Sequence, residues 1–332
     1  MVRRLSPDSR RDTSHRPVRA LPEPGGILVQ GCDFRWSSVG GSDNGWGNHL
    51  MTGRMPKPPP PSHRGPSPPP ALQRAMVALQ MGQVVEAERL AAEVLKANRT
   101  DVGAASILAR ALMAQRRNEE AIAPLERATR RVEDAGLETL LGAALGGAGR
   151  RSEAIDLLRR TTARRPPFLP AFQELAGQLA AAGRFDEAVA VIDSALALAP
   201  ASLELQLLLA QILPHRNERG RARAILEKLR TVAPGHPDIL AALARVLLLD
   251  GEYSAAADLY RQVLAQRPDD PLTRTSFSAC LLEMGDRAAG EANLRLALRG
   301  RPQMIGRTTS ALAMASHGRF FFRPSAVAKF LS

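Results

Sequence analysis

From residue 71 onward, apolar positions fall on helical stripes that stop and restart at a regular interval. Phe172, Leu175, Ala176 and Leu179 stand at i, i+3, i+4 and i+7, the spacing that lines one face of an α-helix. Gly183 interrupts this stripe. A second stripe runs through Ala188, Ile192 and Ala195 and stops before Pro200, whose ring does not continue a helix comfortably. The pattern predicts two helices joined by a tight turn.

The same pattern recurs along the chain. Small residues return at Ala75, Ala109, Gly142, Ala176, Ala210, Ala244 and Ser278, and again at Ala87, Ala121, Ala154, Ala188, Ala222, Ala256 and Gly290. Leucines return at Leu112, Leu145, Leu179, Leu213, Leu247 and Leu281, and prolines at Pro166, Pro200, Pro234, Pro268 and Pro302. The interval is 34 residues, with a single step of 33 in the first three series. Four series in phase identify a repeat array, in which each unit buries its apolar face against its neighbours. The small side chains are expected where the two helices of a unit cross, because a larger residue there would overpack the contact at a cost of about 1–3 kcal/mol.

Residues 169–202 show the unit best, with Phe172, Leu175-Ala176, Leu179, Gly183, Asp186-Glu187-Ala188, Ile192, Ala195 and Pro200 in order. This arrangement resembles the tetratricopeptide repeat (TPR) family, built from a 34-residue helix–turn–helix unit. The resemblance covers about seven units over residues 68–302. It implies an all-α fold, a right-handed α-solenoid of about seven helix hairpins closed by a C-terminal capping helix. Leu179 and Leu247 stand where the family often has an aromatic, which implies a smoother groove wall. The fifth unit departs further: Pro214 falls inside its first helix and Asn217 replaces the turn glycine, so a kink or early end is expected there.

In the family the first helices line a concave surface that holds a guest. Carried over by period, that surface implies a partner-binding stripe of Ser106, Arg110 and Met113; Thr139 and Ala143; Gln173 and Gly177; Leu207 and Gln211; Ala241, Arg245 and Leu248; Thr275, Ala279 and Leu282. Arg110, Gln173, Gln211 and Arg245 offer hydrogen bonds to an extended peptide, and Met113, Leu207, Leu248 and Leu282 offer apolar contact. The Lys/Asn set with which some relatives clamp a terminal carboxylate is missing from this stripe.

The ends differ from the array. Residues 1–70 mix Arg, Ser, Gly and Pro without helical period, with a proline-rich tract from Pro56 to Pro70, and are expected to form a disordered extension. Both tryptophans, Trp36 and Trp46, fall in it, which raises a translation start near Met51 or Met55 as an alternative. Residues 303–332 read as a half repeat and C-terminal cap. Leu312 and His317-Gly318-Arg319 echo a helix and turn, followed by Phe320, Phe321, Phe322 and a short helix over Pro324–Leu331. The phenylalanines are expected to cover the last unit's apolar face; a docking patch is the rival reading.

Composition changes this picture little. Alanine and leucine dominate a 45% hydrophobic chain with only 4% aromatics, as an all-helical array requires. The formal net charge of +12 would point to polyanions if it were gathered on one surface. It sits instead at the two ends, since residues 71–291 hold twenty-eight basic and twenty-eight acidic residues. Nucleic-acid or acidic-surface binding through the basic ends is therefore a secondary reading, and nucleic acid is not the expected partner.

No constellation of catalytic residues emerges. The six histidines show no i, i+4 pair, and Cys32 and Cys280 have neither a partner at metal-ligand spacing nor a neighbouring histidine. No metal, cofactor or catalytic residue is expected. Gly142, Gly146, Gly147 and Gly149 imitate a phosphate loop, but they fall in phase with the repeat helices and should instead weaken one of them, by roughly 1 kcal/mol each relative to alanine. Arg150–Arg151, Arg159–Arg160 and Arg164–Arg165 read as a solvated face. The expected function is a non-enzymatic, cytoplasmic scaffold or adaptor for a protein or peptide partner, with no transmembrane segment. A recruiting or regulatory subunit of a transferase-type enzyme system is the alternative.

Overall fold

A computed structural model describes residues 70–319 together with Ala326, Lys329 and Phe330. The extension up to residue 69 and Phe320, Phe321 and Phe322 lie outside the described residues. Fifteen α-helices and no strand occur among the described residues. Seven hairpins follow one another: α1 (Pro70–Gln80) with α2 (Val84–Ala97), α3 (Val102–Ala114) with α4 (Asn118–Thr129), α5 (Ala135–Gly147) with α6 (Arg151–Thr162), α7 (Leu169–Ala181) with α8 (Phe185–Leu198), α9 (Leu203–Ile212) with α10 (Arg219–Val232), α11 (Pro237–Leu249) with α12 (Tyr253–Gln266), and α13 (Pro271–Glu283) with α14 (Arg287–Leu298). An eighth first helix, α15 (Ile305–Met314), follows.

Local chemistry fixes the ends of these helices. Four first helices open on a side-chain cap, in which Asp101, Asp134, Ser202 and Asp270 accept from the backbone N–H of Ala104, Leu137, Leu205 and Leu272 at 2.7–3.3 Å. α7, α11 and α13 carry proline in their first turn, where no intrahelical N–H bond is lost. Each first helix of the seven hairpins ends in the same turn. The leucine series supplies its acceptor: the N–H groups of Arg117, Arg150, Arg184, Glu218, Glu252 and Asp286 donate to the carbonyls of Leu112, Leu145, Leu179, Leu213, Leu247 and Leu281 at 2.9–3.1 Å.

The residue ahead of each donor must be left-handed. Gly82, Arg116, Gly149, Gly183, Asn217, Gly251 and Gly285 all have positive φ and recur at the repeat interval. Five are glycine and one is asparagine, but Arg116 holds φ at 63° with a bulky side chain. A left-handed L-residue costs about 1–2 kcal/mol. Arg116→Gly is therefore expected to stabilise the second hairpin by about 1 kcal/mol after the added freedom of the unfolded glycine is deducted. Urea denaturation reads this as a rise in midpoint, and an unchanged or lower midpoint contradicts it.

The small-residue series forms the seam of the core. Ala75, Ala87, Ala109, Ala121, Ala154, Ala176, Ala188, Ala210, Ala222, Ala244, Ala256 and Ser278 all have no exposed surface, and Gly142 and Gly290 are buried at their equivalents. Around them pack the larger apolar side chains, among them Leu125, Leu158, Leu179, Ile192, Leu226 and Ile239. Each first helix also meets the first helix of the next hairpin, from α1 with α3 through α13 with α15, whereas no two second helices among the described residues make comparable contact. The first helices thus form the tighter layer. Gly146 serves this approach, since a Cβ there would collide with Gln178 of α7, while Gly142 lets α6 of its own hairpin come close: a Cβ at Gly142 would lie 2.7 Å from Leu158.

The fifth hairpin breaks early. α9 ends at Ile212, ahead of Pro214, and a 3-10 turn over Leu213–Arg216 carries the chain to the left-handed Asn217. At the other end, Leu282, Leu294 and Leu312 form a small core of their own, with Phe330 packed against it. The guanidinium carbons of Arg295 and Arg319 lie 4.7 Å and 5.1 Å from the centre of the Phe330 ring. This contact places Phe330 over the last hairpin's apolar face.

Candidate functional site

The candidate stripe runs across the first-helix layer, and burial sorts its residues. Arg110 and Arg245 are exposed; Ser106, Met113, Thr139, Ala143, Gln173, Gln211, Ala241, Leu248 and Ala279 are half-buried. Four of the projected positions are closed to a guest. Leu282 is fully buried against Leu294 and Leu312, and Leu207, Thr275 and Gly177 are buried between neighbouring helices. Thr275 Oγ1 donates to the Pro271 carbonyl at 2.7 Å, a bond within its own helix. Periodicity alone treats these positions as equivalent, but the short α9 and the terminal hairpin change what covers them.

Across the middle of the stripe the surface is lined by small residues, with Ala143 on α5 and Ala181 on α7. Beside them lies a polar group that the spacing did not single out. Glu174 of α7 is 5% exposed and occupies the repeat position held by Ile107, Leu140, Leu208 and Ala242 in other hairpins. Gln178 Nε2 donates to its carboxylate at 2.8 Å, and Gln178 Oε1 is buried without a partner. No cation among the described residues pairs with Glu174. Burial pushes its carboxyl above the usual range, opposed by the bond from Gln178. A second buried carboxylate, Glu138, is satisfied: Thr161 Oγ1 donates at 2.9 Å and Arg164 at 2.6 Å.

One arginine of each of the three adjacent pairs is ion-paired. Arg150 meets Glu153 at 2.8 Å, Arg159 meets Glu187 at 2.8 Å, and Arg164 meets Glu133 at 3.1 Å. Pairs also join successive hairpins along the edge, with Arg117 to Glu88 at 2.9 Å and Arg216 to Asp186 at 3.0 Å; Arg223 also pairs with Glu252. These partners lie about 29 residues apart, so only the stacking of hairpins brings them together. Arg110 and Arg245, on the stripe, have no carboxylate within 4.0 Å among the described residues. Arg245 instead contacts His215, whose imidazole is held below its usual range first by burial and then by the nearby guanidinium.

Cys280 is a fully buried hydrophobe whose thiol burial pushes up to about 12, leaving no reactive thiolate at neutral pH. Among the described residues no group of three His, Cys, Asp or Glu side chains is arranged to hold a metal ion, and no helix is long and apolar enough to cross a membrane.

Three models of the tetratricopeptide repeat family match the chain, one over residues 78–144 and 179–246, one over 139–202 and one over 239–273. The chain is a tetratricopeptide repeat protein. Solved structures share the fold of this TPR protein. A human IFIT1 dimer with m7Gppp-AAAA is 13% identical, over 74% of this chain and 63% of that one, with a TM-score of 0.60. The Cut9 and Hcn1 hetero-tetramer of the APC/C is 14% identical, over 79% of this chain and 55% of that one, with a TM-score of 0.56. TTC0263, a TPR protein of Thermus thermophilus, is 24% identical over 54% of this chain and 97% of its own, with a TM-score of 0.49. The TPR chain thus spans less than two thirds of the IFIT1 and APC/C chains. No curated protein matches it. Identities this low speak to the fold alone; the family match is what makes the chain a repeat scaffold of a kind that typically engages other proteins.

Proposed function

We propose that this TPR protein is a non-enzymatic scaffold that holds an extended protein or peptide segment along the exposed stripe of its first helices. The observation that supports this reading most directly is the pair of exposed arginines on the stripe that have no carboxylate partner among the described residues. Arg117, Arg216 and Arg223 pair with carboxylates of the neighbouring hairpin, whereas Arg110 and Arg245 stand on the stripe exposed and without a carboxylate among the described residues. Half-buried Ala143 and Ala181 lie on first helices between those of the two arginines, and half-buried Met113 and Leu248 follow each arginine by three residues. An extended segment could lie there with its backbone carbonyls and acidic side chains within reach of guanidinium donors.

A photo-cross-linking amino acid at Ala143 is expected to capture a partner in cells, while the same group at Ala190, exposed on second helix α8, does not. Arg110→Ala combined with Arg245→Ala should lower that capture at least about tenfold, the loss of roughly 1.4 kcal/mol of binding free energy. Equal adducts from both positions, or full capture by the double variant, would exclude the stripe.

A further inference from the structure

The early end of α9 builds something that the regular hairpins lack. Because Pro214 stops the helix, the chain turns through Leu213–Arg216 and carries His215 face to face with Phe185 at the start of α8. The ring centroids lie 4.6 Å apart with planes 8° from parallel. On its edge, Nε2 of the same imidazole lies 3.2 Å from Nη2 of Arg245. A guanidinium only donates, so the imidazole accepts here, which requires it to be neutral with its proton on Nδ1. The stack fixes the ring, the ring fixes the guanidinium, and the positive charge is left uncompensated.

The charged groups around this pair are otherwise engaged. The 3-10 turn packs against α8, α9 and α10. From α8, Asp186 pairs with Arg216 at 3.0 Å and Glu187 pairs with Arg184 at 2.6 Å. At the start of α10, Glu218 pairs with Arg216 at 3.1 Å and with Arg221 at 3.2 Å, and Arg219 takes Asp250, beyond α11, at 3.3 Å. Glu204 of α9 is at the far end of its helix, where Ser202 donates to it at 2.9 Å. That leaves Arg245, from α11, as the charged group in contact with His215.

We propose that His215 and Arg245 form a pH-gated oxyanion site, at the end of the first-helix layer, for a side-chain carboxylate of a bound acidic peptide. This inference rests on the stripe reading above. In the free protein, protonating His215 places a second, partly buried cation 3.2 Å from Arg245, which burial and repulsion both oppose. A single carboxylate between them offsets their repulsion: one oxygen accepts from the guanidinium edge and the other from the N–H that the imidazolium gains, leaving one net positive charge in place of two. Binding therefore takes up a proton. Affinity rises as pH falls through the range in which the free imidazole titrates, and the bound imidazole titrates at higher pH.

The test uses the full chain and a fluorescein-labelled hexaglutamate peptide, with anisotropy measured at pH 7.5 and 5.5 at constant ionic strength. Wild-type affinity should rise about fivefold at the lower pH, approaching the roughly tenfold limit of a one-unit pKa displacement only at pH values below the titration of the free imidazole. His215→Gln, which keeps an acceptor for Arg245 but takes up no proton, should show no gain in affinity between pH 7.5 and pH 5.5. Arg245→Gln should weaken binding about tenfold or more at both values. In unaltered protein, the His215 imidazole NMR resonance should titrate below the ordinary histidine range and move to higher pH when hexaglutamate is added. Equal wild-type affinity at the two pH values, a gain that survives in His215→Gln, or an imidazole that ignores the peptide each overturns the site. Displacement by inorganic phosphate at concentrations where acetate displaces nothing overturns the carboxylate assignment. The Ala143 cross-link uses neither residue, so the stripe can stand when this site fails.

Discussion

Leu158→Ala is expected to cost about 2–5 kcal/mol of folding stability. Leu158 is fully buried on α6, part of the central hydrophobic core, and its branched end lies over Gly142 of α5. The reverse error at the same contact is Gly142→Ala. Its added methyl would stand 2.7–2.9 Å from three carbons of Leu158, so the helices must part or the leucine must leave its rotamer, at about 1–3 kcal/mol. Helix propensity returns about 1 kcal/mol of that. The two changes answer the same space, so the double variant should be more stable than the sum of the singles by about 0.5–3 kcal/mol. Repeat arrays need not unfold in one step, so hydrogen exchange localised to α5 and α6 should accompany the urea curves. Strict additivity would mean that the two residues do not share a contact.

Glu174→Gln is expected to stabilise the protein at neutral pH by about 1–3 kcal/mol, the scale of a buried polar group without full compensation. The carboxylate is buried with no cation among the described residues, and burial raises its pKa. The sign follows from that direction. The neutral acid is favoured in the folded state, so this group's contribution is best below the ordinary carboxylate range. It is lost as pH rises through the raised folded value. Protonation also supplies a donor to Gln178 Oε1, which lacks one. Wild type and Glu174→Gln should therefore match near pH 4 and diverge as pH rises to 7.5, with the variant the more stable. Parallel stability profiles, or a variant less stable at pH 7.5, would show that Glu174 remains charged at no cost.

Most of the architecture was legible because it repeats. A 34-residue interval in four series identifies a unit that buries its face against copies of itself, and the small, leucine and proline positions then follow in phase. The expected break at Pro214 was also readable, since proline removes a backbone donor wherever it stands. The candidate stripe was less so. Projection placed Leu282, Leu207 and Thr275 beside Arg110 and Arg245, yet the first three are buried and the last two are exposed. Arg116 is a similar case, because nothing in the identity of an arginine announces a left-handed turn; only its place between Gly82 and Gly149 does.

The sequence by itself determined the unit, its length, the proline that ends it and the small side chains along its seam, because these rest on spacing within a few helical turns. Only the tertiary structure decided which charges face one another. Arg117 with Glu88, the uncompensated Glu174, and His215 between Phe185 and Arg245 all involve side chains on separate helices, or a cation that is missing from the described neighbourhood. Burial and electrostatic pairing depend on distances across hairpins, and those distances are set by how the helices stack rather than by any interval along the chain.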